Sequence, residues 1–406
     1  MLHFDVRCSR WLSAALLLGA ALSCKAEPRL FLPVITEPSP GPLVREVQIL
    51  DAGSGEVLGT MLRDVNIKSM EMSSDGSRFF FAPATEGGEQ RVAVYKVATG
   101  AVETIETPIT HPTQLILDEP NDRVFVVGPF QDRVAVLDLA SFEVLRVLEF
   151  TDLPSRIRRV VLDASRDRLY LGLGREVRVV DAVTAETLDS EPVPAFLKDI
   201  FLDSQRDRLY YSAGGRAFGV LSVTSDGIEP YAIVEFDQRL DTLLLEQNGD
   251  RLYASTETHS GEPGTYAIAV DSIPAGSSDW ERIDADFLSL PRAAPVMQLD
   301  PVDDVLYLIQ DFASPPGPPP FPPSDPMTIF VVEPASFTIQ ETFETEFGGP
   351  FVQRGAFLTR VDGPNGVVGS EPIPGLHGLG AWILAFMLST AGVLALRARA
   401  GVGAGY

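Results

Sequence analysis

Residues 162–181 read LDASRDRLYLGLGREVRVVD. Two short β-forming runs flank the polar turn Ala164-Ser165-Arg166-Asp167, and a third run, Val177-Arg178-Val179-Val180, ends in Asp181. Branched and aromatic residues fit strands. Asp and Ser fit the turns between them, because their side chains accept nearby backbone N–H groups. The centre of the stretch, Asp167-Arg168-Leu169-Tyr170, recurs as Asp122-Arg123-Val124-Phe125, Asp207-Arg208-Leu209-Tyr210 and Asp250-Arg251-Leu252-Tyr253. Looser copies are Ser77-Arg78-Phe79-Phe80 and Asp304-Val305-Leu306-Tyr307. A spacing of about 40–45 residues matches one four-stranded propeller blade.

Each unit repeats one internal order. An apolar run ending in an acid comes first, as in Leu115-Ile116-Leu117-Asp118, Val160-Val161-Leu162-Asp163 and Ile200-Phe201-Leu202-Asp203. The marker strand follows the turn. A third strand resembles Val134-Ala135-Val136-Leu137-Asp138, and a weaker fourth resembles Val144-Leu145-Arg146-Val147-Leu148. One such sheet has two apolar faces and cannot bury both alone. Sheets packed radially bury each other, and ring closure leaves only short protected edges. An open solenoid or a pair of sandwiches would also stack repeats, but solenoid coils have shorter periods.

The expected fold is all-β, a β-propeller of four-stranded blades, with an N-terminal signal helix and a C-terminal transmembrane helix. Six full units start near residues 67, 113, 158, 198, 241 and 295. Before them, the run from Arg45 to Asp51 and the run from Glu56 to Leu62 read as third and fourth strands without the first two. After them, Ala356-Phe357-Leu358-Thr359-Arg360-Val361 supplies one or two strands. Sharing one sheet would close the ring at seven blades; six and eight stay open on sequence alone.

The flanks divide as follows. Residues 1–26 read as a signal peptide, with Arg7 and Arg10 ahead of an apolar segment over residues 11–22. Residues 27–43, rich in Pro and Glu, read as a linker, and 44–362 as the propeller. Residues 363–374 form a Pro/Gly linker, and 375–406 a transmembrane helix with a basic tail. The uncharged run over residues 378–396 is followed by Arg397 and Arg399. It has about the length that spans a bilayer core, and the positive end favours the cytoplasmic side. The propeller would then lie outside the cytoplasmic membrane, in the periplasm or at the cell surface. Both cysteines, Cys8 and Cys24, precede residue 27, so the propeller itself holds no disulfide.

Three resemblances add to this reading. Ala21-Leu22-Ser23-Cys24 resembles a bacterial lipobox, which implies Cys24 as a lipidated residue; Ala21 stands where that pattern favours a larger aliphatic side chain. Pro372-Ile373-Pro374-Gly375-Leu376, the apolar run and the Arg397-Ala398-Arg399 end resemble PEP-CTERM and IPTL-CTERM sorting tails. That resemblance implies an exosortase-like processing protease and delivery to the surface. The pattern's Thr is missing here, and Ala398 interrupts the basic end. The Asp-Arg-Leu-Tyr strands and the third strands resemble those of YVTN and lactonase-like seven-bladed propellers of bacterial surface proteins, over residues 44–345. This last resemblance implies a fold and a compartment, and no catalytic residue.

Signals of chemistry are few. The segment holds no GxSxG elbow, no HExxH and no P-loop, and without a cysteine it has no thiolate. His111 and His259 are its only histidines. A formal charge of −24 opposes nucleic-acid binding, which needs a basic face. The repeated acids read as turn closers and ion-pair partners, so no metal and no cofactor are expected.

Connections between second and third strands swell in three units, near Ala82, Thr256 and Gln310. Alternate hairpins open on opposite faces, so these three share one face. Glu257, His259, Glu262 and Phe321 are the binding candidates there, for an unknown surface or matrix ligand or protein. The expectation is a non-enzymatic binding or structural module, with a lactonase-like hydrolase in the central funnel as the alternative.

Overall fold

A computed structural model describes residues 27–36, 44–62, 67–83, 90–128, 132–150, 152–213, 216–236, 238–246, 250–256, 263–273, 277–281, 285–291, 296–300, 304–310, 328–344 and 357–361. The strands fall into seven sheets. Blade one contains β1 (Glu27–Thr36), β2 (Val44–Asp51) and β3 (Val57–Met61). Blade two is β4 (Ile67–Met72), β5 (Arg78–Pro83), β6 (Arg91–Lys96) and β7 (Ala101–Glu106). Blade three is β8 (Gln114–Asp118), β9 (Arg123–Gly128), β10 (Arg133–Asp138) and β11 (Val144–Glu149). Blade four is β12 (Ile157–Asp163), β13 (Arg168–Leu173), β14 (Glu176–Asp181) and β15 (Thr187–Pro192). Blade five is β16 (Leu197–Asp203), β17 (Arg208–Ala213), β18 (Ala217–Val223) and β19 (Ile228–Glu235). Blade six holds β20 (Leu240–Leu245), β21 (Arg251–Thr256) and β22 (Gly264–Ala269). Before its fourth strand the chain makes β23 (Ser277–Glu281), then β24 (Asp286–Ser289). Blade seven is β25 (Val296–Asp300), β26 (Val305–Ile309), β27 (Thr328–Glu333) and β28 (Thr338–Glu344), and β29 (Phe357–Val361) ends the series.

The fold is thus a seven-bladed propeller, closed by a composite sheet ordered β29-β1-β2-β3. The six expected units start within two residues of their observed first strands. The linker expected over residues 27–43 is corrected: residues 27–36 form β1, the second strand of blade one. Proline composition suggested a linker because Pro lacks an N–H donor. The register shows how β1 tolerates it. Pro28 pairs with Arg360 of β29 but lies before the β2 ladder, and Pro33 pairs with Val47 of β2 but lies beyond the β29 ladder. Each proline therefore has a ladder on one side only, as in an edge strand. A second departure is β23, which adds to blade five as a fifth strand, parallel to β19.

The Leu-Tyr pair of the marker explains why the unit repeats. Successive strand side chains point to opposite faces. Leu169 packs with Phe125 and Val136 of blade three, while Tyr170 packs with Leu209 and Leu221 of blade five. Leu209 and Tyr210 divide in the same way between blades four and six. So do Leu252 and Tyr253 between blades five and seven. In blade seven, Leu306 faces blade six and Tyr307 packs with Leu30, Leu32 and Leu50 of blade one. Phe31 of blade one meets Phe79 of blade two with ring centroids 4.7 Å apart, which completes the circle. One residue binds backward and the next forward, each worth about 1.5–3 kcal/mol when fully buried.

Turns repeat as well. Asp122, Asp167, Asp207 and Asp304 all sit at φ near +50°, a conformation Asp tolerates better than most residues. Asp51, Asp138 and Asp181 end third strands and each accepts two backbone N–H groups of the turn that follows. Among the described residues no helix is long and apolar enough to cross a membrane. The signal segment, Cys24, the span over residues 378–396 and the sorting residues Pro372, Ile373, Pro374, Arg397 and Arg399 lie outside the described residues.

Candidate functional site in the central channel

First strands of neighbouring blades lie against one another around the ring and line its axis. Their inward edges have no ladder partner, which leaves backbone N–H and C=O groups to be satisfied. Polar side chains at one level do this. Ser69, Gln114, Arg159 and Asp199 stand opposite Ala82, Val127, Gly172 and Ser212 of their own second strands. The ladder slips just before Ser69, Arg159 and Asp199. Such a bulge re-aims the next side chain.

Three of the four reach the neighbouring first strand. Ser69 Oγ accepts the Leu115 N–H at 3.3 Å. The Gln114 amide both donates to the Val160 carbonyl at 2.7 Å and accepts the Val160 N–H at 3.0 Å, standing in for a missing strand. Asp199 Oδ2 accepts the Leu243 N–H at 3.3 Å. Arg159 differs. Its Nε lies 3.3 Å from Asp199 Oδ1, an ion pair whose geometry leaves the Nε hydrogen without a hydrogen-bond partner among the described residues. Asp199 is almost wholly buried, and Arg159 keeps 35 % of its side-chain surface.

Glu71 lies two residues beyond Ser69 on β4. It retains some accessible surface, yet protein encloses it closely enough that desolvation pushes its carboxyl up to about 7. The Arg159 guanidinium partly opposes that rise. Blade three lies between the blades of Glu71 and Arg159 in the ring, yet the two groups are close enough for their charges to interact. A carboxyl that titrates near neutrality, a guanidinium with an unused donor and a buried aspartate thus converge from three blades. Such an arrangement can hold an anionic or hydroxylated ligand, and a carboxylate of that pKa can take up a proton.

The opposite face carries scaffold chemistry. Arg166 joins Asp163 of its own blade to Asp207 of the next, and Arg206 joins Asp203 to Asp250. These acids are occupied by guanidinium and turn N–H groups. Among the described residues no group of three His, Cys, Asp or Glu side chains is arranged to hold a metal ion.

Of the residues singled out in the sequence, Glu257, His259, Glu262 and Phe321 lie outside the described residues. The strands that carry their loops, β21 and β26, end on the same face as β5, as the antiparallel order requires. His111 is in a loop between blades two and three, with φ 53°. Sequence reasoning missed Glu71, Arg159 and Asp199 because it searched the loops. A signal was present. Counting back four residues from the equivalent positions Ser73, Asp118, Asp163, Asp203, Glu246 and Asp300, at or just past the ends of the first strands, gives Ser69, Gln114, Arg159, Asp199, Thr242 and Val296, a place where chemistry changes from unit to unit.

No family model matches the chain, and no curated protein matches it. Solved structures do. A candidate 6-phosphogluconolactonase from Bacteroides fragilis superposes with a TM-score of 0.60 at 12% identity, over 82% of this chain and 98% of that one. A second, from Bacteroides uniformis, gives 0.60 at 10% identity, over 82% and 100%. The dihydro-haem d1 dehydrogenase NirN gives 0.55 at 11% identity, over 82% and 75%. At such identity these likenesses speak for the propeller fold alone.

Proposed function

We propose that the protein is an exported propeller that binds a small polar ligand in its central channel without turning it over. The observation that carries this is the level formed by Ser69, Gln114, Arg159 and Asp199. The scaffold turns repeat their chemistry from blade to blade, and this level does not. Arg159, with one donor unused, would meet an oxyanion or hydroxyl group of the ligand. The C-terminal tail would hold the propeller at the membrane or cell surface, after processing by an exosortase-like protease. The loop face bearing Glu257, His259, Glu262 and Phe321 would meet a surface or matrix partner.

A second reading has one observation in its favour. Glu71, with a pKa of about 7, has the proton affinity of a general base at neutral pH. Two fold neighbours carry a lactonase description. On this reading the channel would open a lactone or ester by water attack, with Glu71 taking the water's proton, Arg159 stabilising the oxyanion, and the C–O bond breaking as Glu71 returns that proton to the leaving alkoxide oxygen.

A panel of sugar acids, their lactones and neutral sugars separates the two. Saturable binding that Arg159→Ala weakens, with the ligand recovered unchanged, supports the binding module. Lactone opening above the spontaneous rate, lost in Glu71→Gln, supports the hydrolase. No binding and no turnover across the panel contradicts both. For the location, the intact mass of the mature chain decides. A chain ending near residue 374 in the surface fraction or the medium agrees with the proposal. Retention of Arg397 in the inner membrane contradicts processing.

A further inference from the structure

Nine large apolar residues are exposed among the described residues, and eight belong to fourth strands or to the turns leading into them. The ninth, Phe196, is the only aromatic, and it is 52% exposed. It sits in the connection that enters β16, on the face where second strands end. Two guanidiniums lie over its ring: Arg158 with its carbon 5.4 Å from the centroid and Arg175 at 5.7 Å.

Backbone hydrogen bonds join the turn that carries Arg175 to the connection that carries Phe196. Leu197 N–H donates to the Gly174 carbonyl at 2.7 Å, and Val193 N–H to the Arg175 carbonyl at 2.9 Å. These bonds fix the Arg175 turn against the Phe196 connection. Arg158 occupies the slip in the β12 ladder, between Ile157 and Arg159. Beneath them, Gly174 lies so close to Ser155 and Phe196 that a Cβ would come within 2.8 Å of Ser155 Oγ. That Oγ is buried and has no hydrogen-bond partner among the described residues.

We infer that Arg158, Arg175 and Phe196 form an oxyanion clamp on the rim of blade four, separate from the channel. Neither guanidinium has a carboxylate partner among the described residues, whereas the nearby acids are engaged: Glu176 by Arg178, and Asp199 by Arg159. In a chain of formal charge −24, two such arginines over one ring stand out from their surroundings. Planar guanidiniums stacked on an aromatic face are already ordered. Little side-chain freedom is then lost when their forked donors meet a carboxylate or phosphate. The ligand class is a small molecule or chain end bearing a carboxylate or a phosphate; the shared chemistry is the oxyanion.

The test follows the arginine Nε–Hε signals of the purified protein by NMR during titration with inorganic phosphate, and separately with acetate. Saturable shifts of Arg158 and Arg175 are expected, weakened about tenfold or more in Arg158→Ala and in Arg175→Ala. Phe196→Leu, which keeps apolar bulk but removes the ring, weakens binding several-fold. Arg133→Ala, remote on blade three and paired with Glu149, leaves it unchanged. Unaltered melting temperatures verify that the variants are folded. Response to phosphate alone marks a phosphoryl site, and response to acetate alone a carboxylate site. Failure of both anions to give a saturable shift overturns the clamp, as does a shift that survives in the Arg158→Ala, Arg175→Ala double variant.

Discussion

Arg123 of blade three places its Nη2 2.6 Å from Asp167 of blade four. The same nitrogen lies 2.5 Å from Asp118 of its own blade, whose side chain is fully buried. Arg166 and Arg206 repeat this arrangement one and two blades further on, so the turn face is stitched by guanidiniums between four consecutive blades. These pairs were visible in the sequence only as local neighbours. Their inter-blade half depends on ring geometry, which puts each marker Asp beside the preceding blade.

Removing the bridge leaves a buried charge. Arg123→Ala should cost about 3 kcal/mol or more in urea unfolding, because Asp118 stays desolvated without its partner. Arg133→Ala, whose pair with Glu149 is about half exposed, should cost about 0–1 kcal/mol. Equal losses would reject the distinction.

The marker pair divides in energy as well as in direction. Leu252→Ala should cost about 2–5 kcal/mol through the cavity between blades five and six. Tyr253→Phe should be neutral or slightly stabilising, by up to about 1 kcal/mol, because the Tyr253 hydroxyl is buried without a partner among the described residues. A clear loss in Tyr253→Phe would mean that its hydroxyl has a partner after all.

Blade one makes a sharper demand. A chain beginning at Val44 lacks β1 and leaves β29 and β2 without the strand that joins them. It should lose cooperative melting or aggregate, while a chain beginning at Ala26 melts as one unit. The same melting temperature for both would show that β1 is dispensable and that residues 27–36 are a linker.

Acidity in the channel has a stability signature. The folded pKa of Glu71 lies above its unfolded value, so between about 4.5 and about 7 the folded state binds more protons than the unfolded state. Stability from this group is present in full below about 4.5 and falls as pH rises to about 7, by at most about 3 kcal/mol. Glu71→Gln should flatten that part of the pH–stability curve; an unchanged slope would assign it elsewhere.

Much of the fold was legible. The Leu-Tyr marker, its period and the half-units at the two ends led to seven blades, because each signal reflects a local rule of turn or strand. β1 was not legible, since Pro28 and Pro33 read as breakers until the register shows that each lacks a ladder on one side. β23 was hidden because an added parallel strand has no signature of its own. The channel was legible only in part. Asp118, Asp163 and Asp203 repeat and so announce scaffold, whereas Arg159 and Asp199 look like ordinary strand residues until the ring brings first strands together.

Glu71 of blade two and Arg159 of blade four are close enough for the Arg159 charge to oppose the rise of the Glu71 carboxyl. The direct measurement is the carboxyl titration of Glu71 by NMR, in the native protein and in Arg159→Ala. A midpoint near 7 is expected, moving higher in Arg159→Ala as the opposing charge is lost. A midpoint near 4.5 that ignores the substitution would contradict the channel site.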